Sequence, residues 1–279
     1  MADSRQEALE YCLKRTPQRI AQVKAAVQLI QERTQRENHD VLVVLGSGLH
    51  DTVCNLGKNP VELPLKELLG AKIPSAQGHG TQIVSVQIET EAKTVNILVC
   101  TGRIHLYEGH TPADLCFVPQ VAAMTGIQAA FLTNAGGCLQ PWELGDVMAI
   151  RDHINFSGAS PFTGPVFVDI SQVWDSDLTA AIKKHASRSG VYAISRGPEY
   201  QTLAESIMMR SNGIDMVGMS TVLEAIALHQ LGVRVCGVSV TSDLTFSSTP
   251  TTHSEVLHAV RSAIPCVQNC LYEVINALY

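Results

Sequence analysis

Apolar residues fall into two kinds of run along this chain. The first kind is short and nearly continuous: "VLVVLG" (41–46), "TQIVSVQIE" (81–89), "VNILVCTG" (95–102), "AAFLTNAGG" (129–137), "GDVMAIRDHINF" (145–156), "IDMVGMS" (214–220) and "VRVCGVSVTSD" (233–243). A strand buried on both faces loses its polar alternation, so these seven runs read as strands of a covered sheet. The second kind recurs every three or four residues. Ile20, Val23, Val27 and Ile30 make such a stripe behind Thr16-Pro17, a capping hydroxyl followed by proline at the first helical position. That helix should end near 34–40. Further helical patterns occupy 201–213 and 220–232, stopping at Gly213 and Gly232, and 253–279, where Pro265 should kink the helix.

Strands alternating with helices mean an α/β fold with a largely parallel or mixed sheet. No internal repeat, low-complexity tract or composition break marks a linker, so residues 1–279 read as one domain with a helical extension over about 1–38. The longest irregular stretch is 156–175, and a loop of that length usually serves a function or a partner. In open α/β folds, ligands gather outside the carboxyl ends of the strands. Those ends hold Ser47, Arg103, His105, Asn134, Ser220 and Asp243.

Composition narrows the chemistry. The 279 residues are 46% hydrophobic and 16% charged, enough for a sizeable core, and the formal net charge is −6. No Lys/Arg cluster marks a nucleic-acid face. The eight cysteines form no C-x-x-C pair and lack zinc-site spacing, so they read as free thiols of a reducing compartment. The first residues are charged and unlike a signal peptide, and no apolar run reaches 18 residues. The expected location is the cytoplasm, without nucleic-acid or membrane partners.

Three strand ends suit an anion. In "VLGSGLH", Gly46 and Gly48 flank Ser47, so backbone N–H groups and a hydroxyl can converge, although a plain tight turn fits equally well. It is neither a P-loop nor a dinucleotide fingerprint. In "TGRIHLYEGH", Arg103, His105 and Tyr107 share one face of the segment if it is extended. Arg offers a fork for phosphate oxygens and His can donate or accept. "GMST" opens a helix with Ser220 or Thr221, which fits an ordinary cap or a phosphate seat.

Taken together, "VLGSGL", "GHG", "GRIHLYEGH", "LTNAGG", "GDVMAIRDHINFSGASPF", "GVYAISRGPEYQTLAE", "DMVGMSTVLEAIA" and "HSEV" resemble, in order, the low-molecular-weight trimeric purine nucleoside phosphorylases, over roughly 41–260. The resemblance implies a three-layer fold with a central mixed, twisted β-sheet flanked by α-helices. It also implies a homotrimer and reversible phosphorolysis of purine nucleosides to the free base and ribose 1-phosphate. Inorganic phosphate is a co-substrate, and no cofactor or metal is implied. Carried over position by position, phosphate meets Ser47, His79, Arg103, His105, the Asn134–Ala135 backbone and Ser220. Ribose meets Tyr107, Met219 and His253, the last at the 5′-hydroxyl. The base meets Tyr200, Gln201, Val217 and Asp243. Phe167 matches the segment that lends an aromatic residue to the neighbouring subunit's pocket.

Two positions depart from that pattern. The family pair is Glu where this chain has Gln201 and Asn where it has Asp243. A carboxylate only accepts hydrogen bonds, so Glu suits a 6-oxopurine whose N1 carries a proton. Adenine has an acceptor at N1 and a donor at the 6-amino group. Gln201 can donate to the first and Asp243 can accept from the second. To protonate N7 of the leaving base, Asp243 would need a pKa raised from about 3.9. The expectation is a preference for adenosine, with Asp243, His105 and Arg103 as the catalytic groups. Arg196 and Glu199 also depart, and could pair with each other or alter the cover over the base. The alternatives are a 5′-methylthioadenosine phosphorylase, a 6-oxopurine enzyme with harmless substitutions, and a non-catalytic nucleoside-binding relative.

Overall fold

The computed structural model describes residues 2–53, 56–69, 72–76, 78–247 and 253–279. Its strands are β1 (Val41–Val44), β2 (Lys58–Pro64), β3 (Gln82–Glu89), β4 (Thr94–Cys100), β5 (Ala129–Cys138), β6 (Val147–Asn155), β7 (Arg188–Ile194), β8 (Met216–Gly218) and β9 (Arg234–Leu244). Its α-helices are α1 (Ala2–Cys12), α2 (Pro17–Thr34), α3 (Leu65–Leu69), α4 (Pro112–Leu115), α5 (Phe117–Met124), α6 (Ser176–Ile182), α7 (Leu203–Ser211), α8 (Val222–Gln230), α9 (His253–Ser262) and α10 (Ile264–Asn276).

All nine described strands join one mixed sheet, in the order β2-β3-β4-β1-β5-β8-β7-β6-β9. β1 runs parallel to β4 and β5, and β5 runs parallel to β9, whereas β3–β4, β5–β8 and β6–β9 are antiparallel. Because β9 returns to pair with β5, strands β5, β8, β7, β6 and β9 close into a ring and β1 to β4 extend from it as an arm. Closure removes the free edge of β9 and gathers strand ends at one mouth.

Alternation along β1 shows the layering. Leu42 and Val44 face an apolar cluster shared with α1, α2, α5 and α8, while Val41 and Val43 face one shared with α6, α9 and α10. Leu9, Val23 and Ile30 are buried in the first cluster, so the N-terminal helices pack into the body of the fold. Asp114 of α4, ion-paired with Arg19 at 2.9 Å and Lys72 at 2.6 Å, ties α2 to it.

Two strands escaped the sequence pattern. β2 is a polar edge strand with only Leu63 fully buried, and β7 opens on Arg-Ser-Gly. α5 is buried almost all round, which erases helical periodicity. The capping expectation at Thr16 fails: its side chain makes no cap hydrogen bond and instead donates to the Leu13 carbonyl at 3.5 Å. The C-terminal helix is two helices rather than one kinked one, since Pro265 sits in the first turn of α10. The stretch 156–175 carries no helix or strand, as expected, apart from an isolated bridge between Trp174 and Val235.

Candidate active site

Strand ends β1, β4, β5, β8 and β9 converge on a cavity of about 650 Å³. Every candidate site residue lines it except Phe167 and His253: Ser47, His79, Arg103, His105, Tyr107, Asn134, Ala135, Tyr200, Gln201, Val217, Met219, Ser220 and Asp243. His253 opens α9, and its side chain lies outside the described residues. Phe167 is 85% exposed on the irregular loop, around a separate hollow with Phe162 and Ile226.

At one end of the cavity, close backbone approach brings the candidate anion-binding residues together. A Cβ at Gly46 would lie 2.6 Å from the Asn134 Cα, so only glycine lets the turn after β1 reach β5. Gly48, with φ of 75°, turns the chain so that its N–H donates to the Gly78 carbonyl at 3.0 Å. This fastens the segment carrying His79 beside Ser47.

The hydrogen-bond chain fixes which groups can donate into the cavity. His79 Nδ1 accepts from the Arg103 backbone N–H at 3.3 Å, so its proton sits on Nε2 and is donated to Ser47 Oγ at 2.9 Å. Burial, then the nearby charges of His105 and Arg103, lower the His79 pKa to about 3, so the ring is neutral. Ser47 thereby keeps its own hydrogen for the cavity. The same logic reaches Ser220. Thr221 Oγ1 accepts from Arg103 Nη1 at 3.1 Å and from Asn134 Nδ2 at 3.0 Å. Its hydrogen is left for Ser220 Oγ, 3.1 Å away, which Arg103 Nη1 also approaches at 3.3 Å.

Arg103 departs from the open fork that its sequence suggested. Its side chain is almost wholly buried and its Nη1 donates to the Thr133 carbonyl at 2.7 Å, its Nη2 to the Val44 carbonyl at 3.4 Å. Glu224 lies 3.3 Å from Nε as a buried ion partner, out of line for a hydrogen bond. One Nη2 hydrogen is left over, so the guanidinium acts as a fixed charge rather than a free bidentate clamp. Asn134 is equally tied, since its Oδ1 accepts from Ser239 at 2.6 Å and its Nδ2 donates to Thr221 at 3.0 Å.

His105 is held by Glu108, whose carboxylate accepts from its Nδ1 at 2.7 Å and from its backbone N–H at 2.7 Å. Burial pushes Glu108 up, but hydrogen bonds from His105 and Ser75 prevail and hold its pKa at about 2. An ionised Glu108 keeps the His105 proton on Nδ1 when the ring is neutral, leaving Nε2 for the ligand. Tyr107 stacks on His105 with ring centroids 4.7 Å apart, and burial raises its pKa to about 12. Sequence reasoning missed Glu108; its position three residues after His105, at the spacing of a capping box, was the available signal.

The expected cap at Ser220 or Thr221 is corrected. Thr221 is the N-cap of α8, yet its hydroxyl caps nothing and holds Arg103 and Asn134. Its φ of 78° is strained for a β-branched residue, and such strain gathers where function demands a particular geometry.

At the other end, a bulge decides what faces the cavity. β9 pairs Thr241 with Gly136 and then Asp243 with Gly137, so Ser242 is the extra residue. A bulge reverses the facing of the residues beyond it, and it turns Asp243 into the cavity. Its carboxylate takes no hydrogen bond from any described residue. Gln201 lies half-buried and its Nε2 donates to Ser195 Oγ at 3.0 Å, leaving a second N–H and a carbonyl oxygen for the cavity. Gly197 packs against Met219 and Tyr107, where any side chain would collide. Tyr200 stands 82% exposed at the rim. Arg196 and Glu199 are both exposed, and among the described residues no ion pair joins them. Among the described residues there is also no His, Cys, Asp and Glu cluster fit for a metal, and the seven described cysteines are free.

A cavity with hydroxyl, imidazole and guanidinium donors at one end and amide and carboxylate groups at the other suits an enzyme that transfers a glycosyl group to an oxyanion. Residues 40–276 match the phosphorylase superfamily. The chain is 38% identical to a purine nucleoside phosphorylase of Mycobacterium leprae, over 90% of this chain and 94% of the relative. It is 37% identical to one of a Cellulomonas species, over 90% and 91%. The crystal structure of Schistosoma mansoni purine nucleoside phosphorylase in complex with adenosine superposes with a TM-score of 0.80 at 26% identity, covering 92% of this chain and 97% of that one. The chain therefore belongs to the phosphorylase superfamily and, within it, to the purine nucleoside phosphorylases. It is accordingly a transferase of nucleoside metabolism. No helix among the described residues is long and apolar enough to cross a membrane.

Proposed function

We propose that this enzyme prefers adenosine and its 2′-deoxy form over inosine and guanosine. One observation carries the reading: Gln201 and Asp243 face one cavity whose opposite end holds the anion-binding donors. Gln201 donates to N1 and Asp243 accepts from the 6-amino group, whereas O6 of inosine would meet a carboxylate acceptor to acceptor. The adenosine bound to the Schistosoma mansoni relative is in keeping with this.

In the reaction, Ser47, Ser220, one Arg103 N–H, His105 and the Asn134–Ala135 backbone hold phosphate near C1′, with His79 fixing Ser47. The C1′–N9 bond lengthens, its electron pair passes into the purine, and the ribose gains oxocarbenium character. A phosphate oxygen then forms the new bond to C1′ from the opposite face. Negative charge developing on the base is met by hydrogen-bond donors beside Asp243, whose own carboxylate accepts from the 6-amino group. Tyr107, Met219 and His253 seat the sugar, and Tyr200 and Val217 cover the base. No step requires a metal or a redox cofactor. We further propose a cytoplasmic homotrimer in which the exposed Phe167 reaches a neighbouring pocket.

The test is initial rate with adenosine, inosine, guanosine and 5′-methylthioadenosine, with and without phosphate, following the sugar 1-phosphate. The expected result is phosphate-dependent cleavage fastest on adenosine. Faster cleavage of inosine or guanosine would overturn the assignment of Gln201 and Asp243, and faster cleavage of the methylthio substrate would overturn that of the 5′ end.

A further inference from the structure

Reading adenine leaves one atom of the leaving group unserved. An ionised Asp243 can accept from the 6-amino group but has no hydrogen to give N7, where electron density gathers as the C1′–N9 bond breaks. The cavity floor offers a donor. Thr245 lines the cavity two residues beyond Asp243. A Cβ built on Gly137 would lie 3.2 Å from Thr245 Oγ1, 3.7 Å from Asp243 Oδ2 and 3.7 Å from Val217 Cγ1. The hydroxyl and the carboxylate thus stand on either side of one patch that glycine leaves open. They are close enough to meet neighbouring atoms along one edge of a purine.

The segment is held in place. Thr245 N–H donates to the Cys138 carbonyl at 3.1 Å, and Ser242 Oγ to the Gly136 carbonyl at 3.2 Å, so the bulge is fastened to the end of β5 on both sides of Asp243. The Thr245 hydroxyl meets no hydrogen-bond partner among the described residues, and it is only partly exposed.

We propose that Thr245 is a third base-reading residue, donating its hydroxyl hydrogen to purine N7 while Asp243 accepts from the 6-amino group. The division of labour between the two rests on the adenosine reading, and it removes any need for Asp243 to carry a proton. Thr245 gives a hydrogen bond and transfers no proton; the departing purine anion is protonated by water on release.

The experiment is equilibrium titration of the full-length enzyme, as wild type, Thr245→Val and Thr245→Ser, with adenine and with 7-deazaadenine, which replaces N7 by carbon. Losing one neutral hydrogen bond should weaken adenine about 3- to 10-fold in Thr245→Val. Binding of 7-deazaadenine should be unchanged by that substitution, and Thr245→Ser should restore adenine. Equal weakening of both ligands, or of neither, would overturn the proposal. Hypoxanthine and 7-deazahypoxanthine give the same comparison, so Thr245 is scored even if the wild type turns out to prefer inosine. That preference would instead sink the role given to Asp243.

Discussion

Replacing Asp243 by Asn changes one atom type at the position where substrate choice is argued to reside. The bulge at Ser242 turns this side chain into the cavity, and its carboxylate takes no hydrogen bond from the described residues. The amide therefore orphans no protein group, and its effect should fall on the ligand. With inosine, the substitution replaces an acceptor facing O6 by a donor. Relief of a buried unpaired acceptor is worth roughly 1–3 kcal/mol, or about 5- to 150-fold in kcat/KM. With adenosine, a hydrogen bond to a charged group becomes one to a neutral amide, a loss of about 1 kcal/mol or some fivefold. The ratio of kcat/KM for adenosine to that for inosine should fall on the order of 100-fold in Asp243→Asn. The assay is initial rate on both nucleosides at saturating phosphate, with thermal unfolding as a check on the fold. A ratio that moves by less than threefold, or toward adenosine, would refute the reasoning, because the carboxylate would then not be facing the 6-substituent.

Two further expectations rest on geometry and titration. Gly46→Ala sets a Cβ 2.6 Å from Asn134 Cα and 3.0 Å from the Thr133 carbonyl, both backbone atoms that cannot swing away. It should cost about 1–3 kcal/mol, lower the Tm by roughly 3–8 °C and raise the KM for phosphate; an unchanged Tm and KM would show that the turn yields. Stability should also fall as pH drops from 6.5 toward 4. Burial, then the Arg36 charge, lowers the His39 pKa to about 4, and burial, then His105 and Arg103, takes His79 to about 3. Below 6.5 the unfolded chain binds protons that these native rings refuse, so each histidine contributes a slope of up to about 1.4 kcal/mol per pH unit. Glu108, held at about 2, adds its own loss only below the usual carboxylate range. Urea midpoints that are flat between pH 6.5 and 5 would contradict the two lowered histidines.

Much of the architecture was legible because burial on both faces writes itself into composition. All seven strands read from apolar runs are present, and residues at the carboxyl ends of five of them, β1, β4, β5, β8 and β9, meet in one cavity. The elements that escaped did so for physical reasons. β2 lies at an edge where polar residues are tolerated, and α5 is too buried to show a stripe. In the site, Glu224 gave no local signal, since it reaches Arg103 only when α8 folds against the turn after β4. The roles of Ser47 and Ser220 depend on chains of hydrogen bonds running through His79 and Thr221, which join segments 32 residues apart in one case and 118 in the other.

By itself, the sequence determined the α/β class, the family resemblance and the residue types that carry the chemistry, because periodicity and side-chain identity are local properties of the chain. Only the tertiary structure decided how those groups are used. Ring closure between β5 and β9 brings the candidate anion-binding and base-reading residues into one cavity, and the bulge at Ser242 decides that Asp243 faces it. Buried partners turn Arg103 from a mobile fork into a fixed charge. These outcomes depend on contacts between residues far apart in the chain, and no local pattern encodes which distant group will satisfy a buried donor.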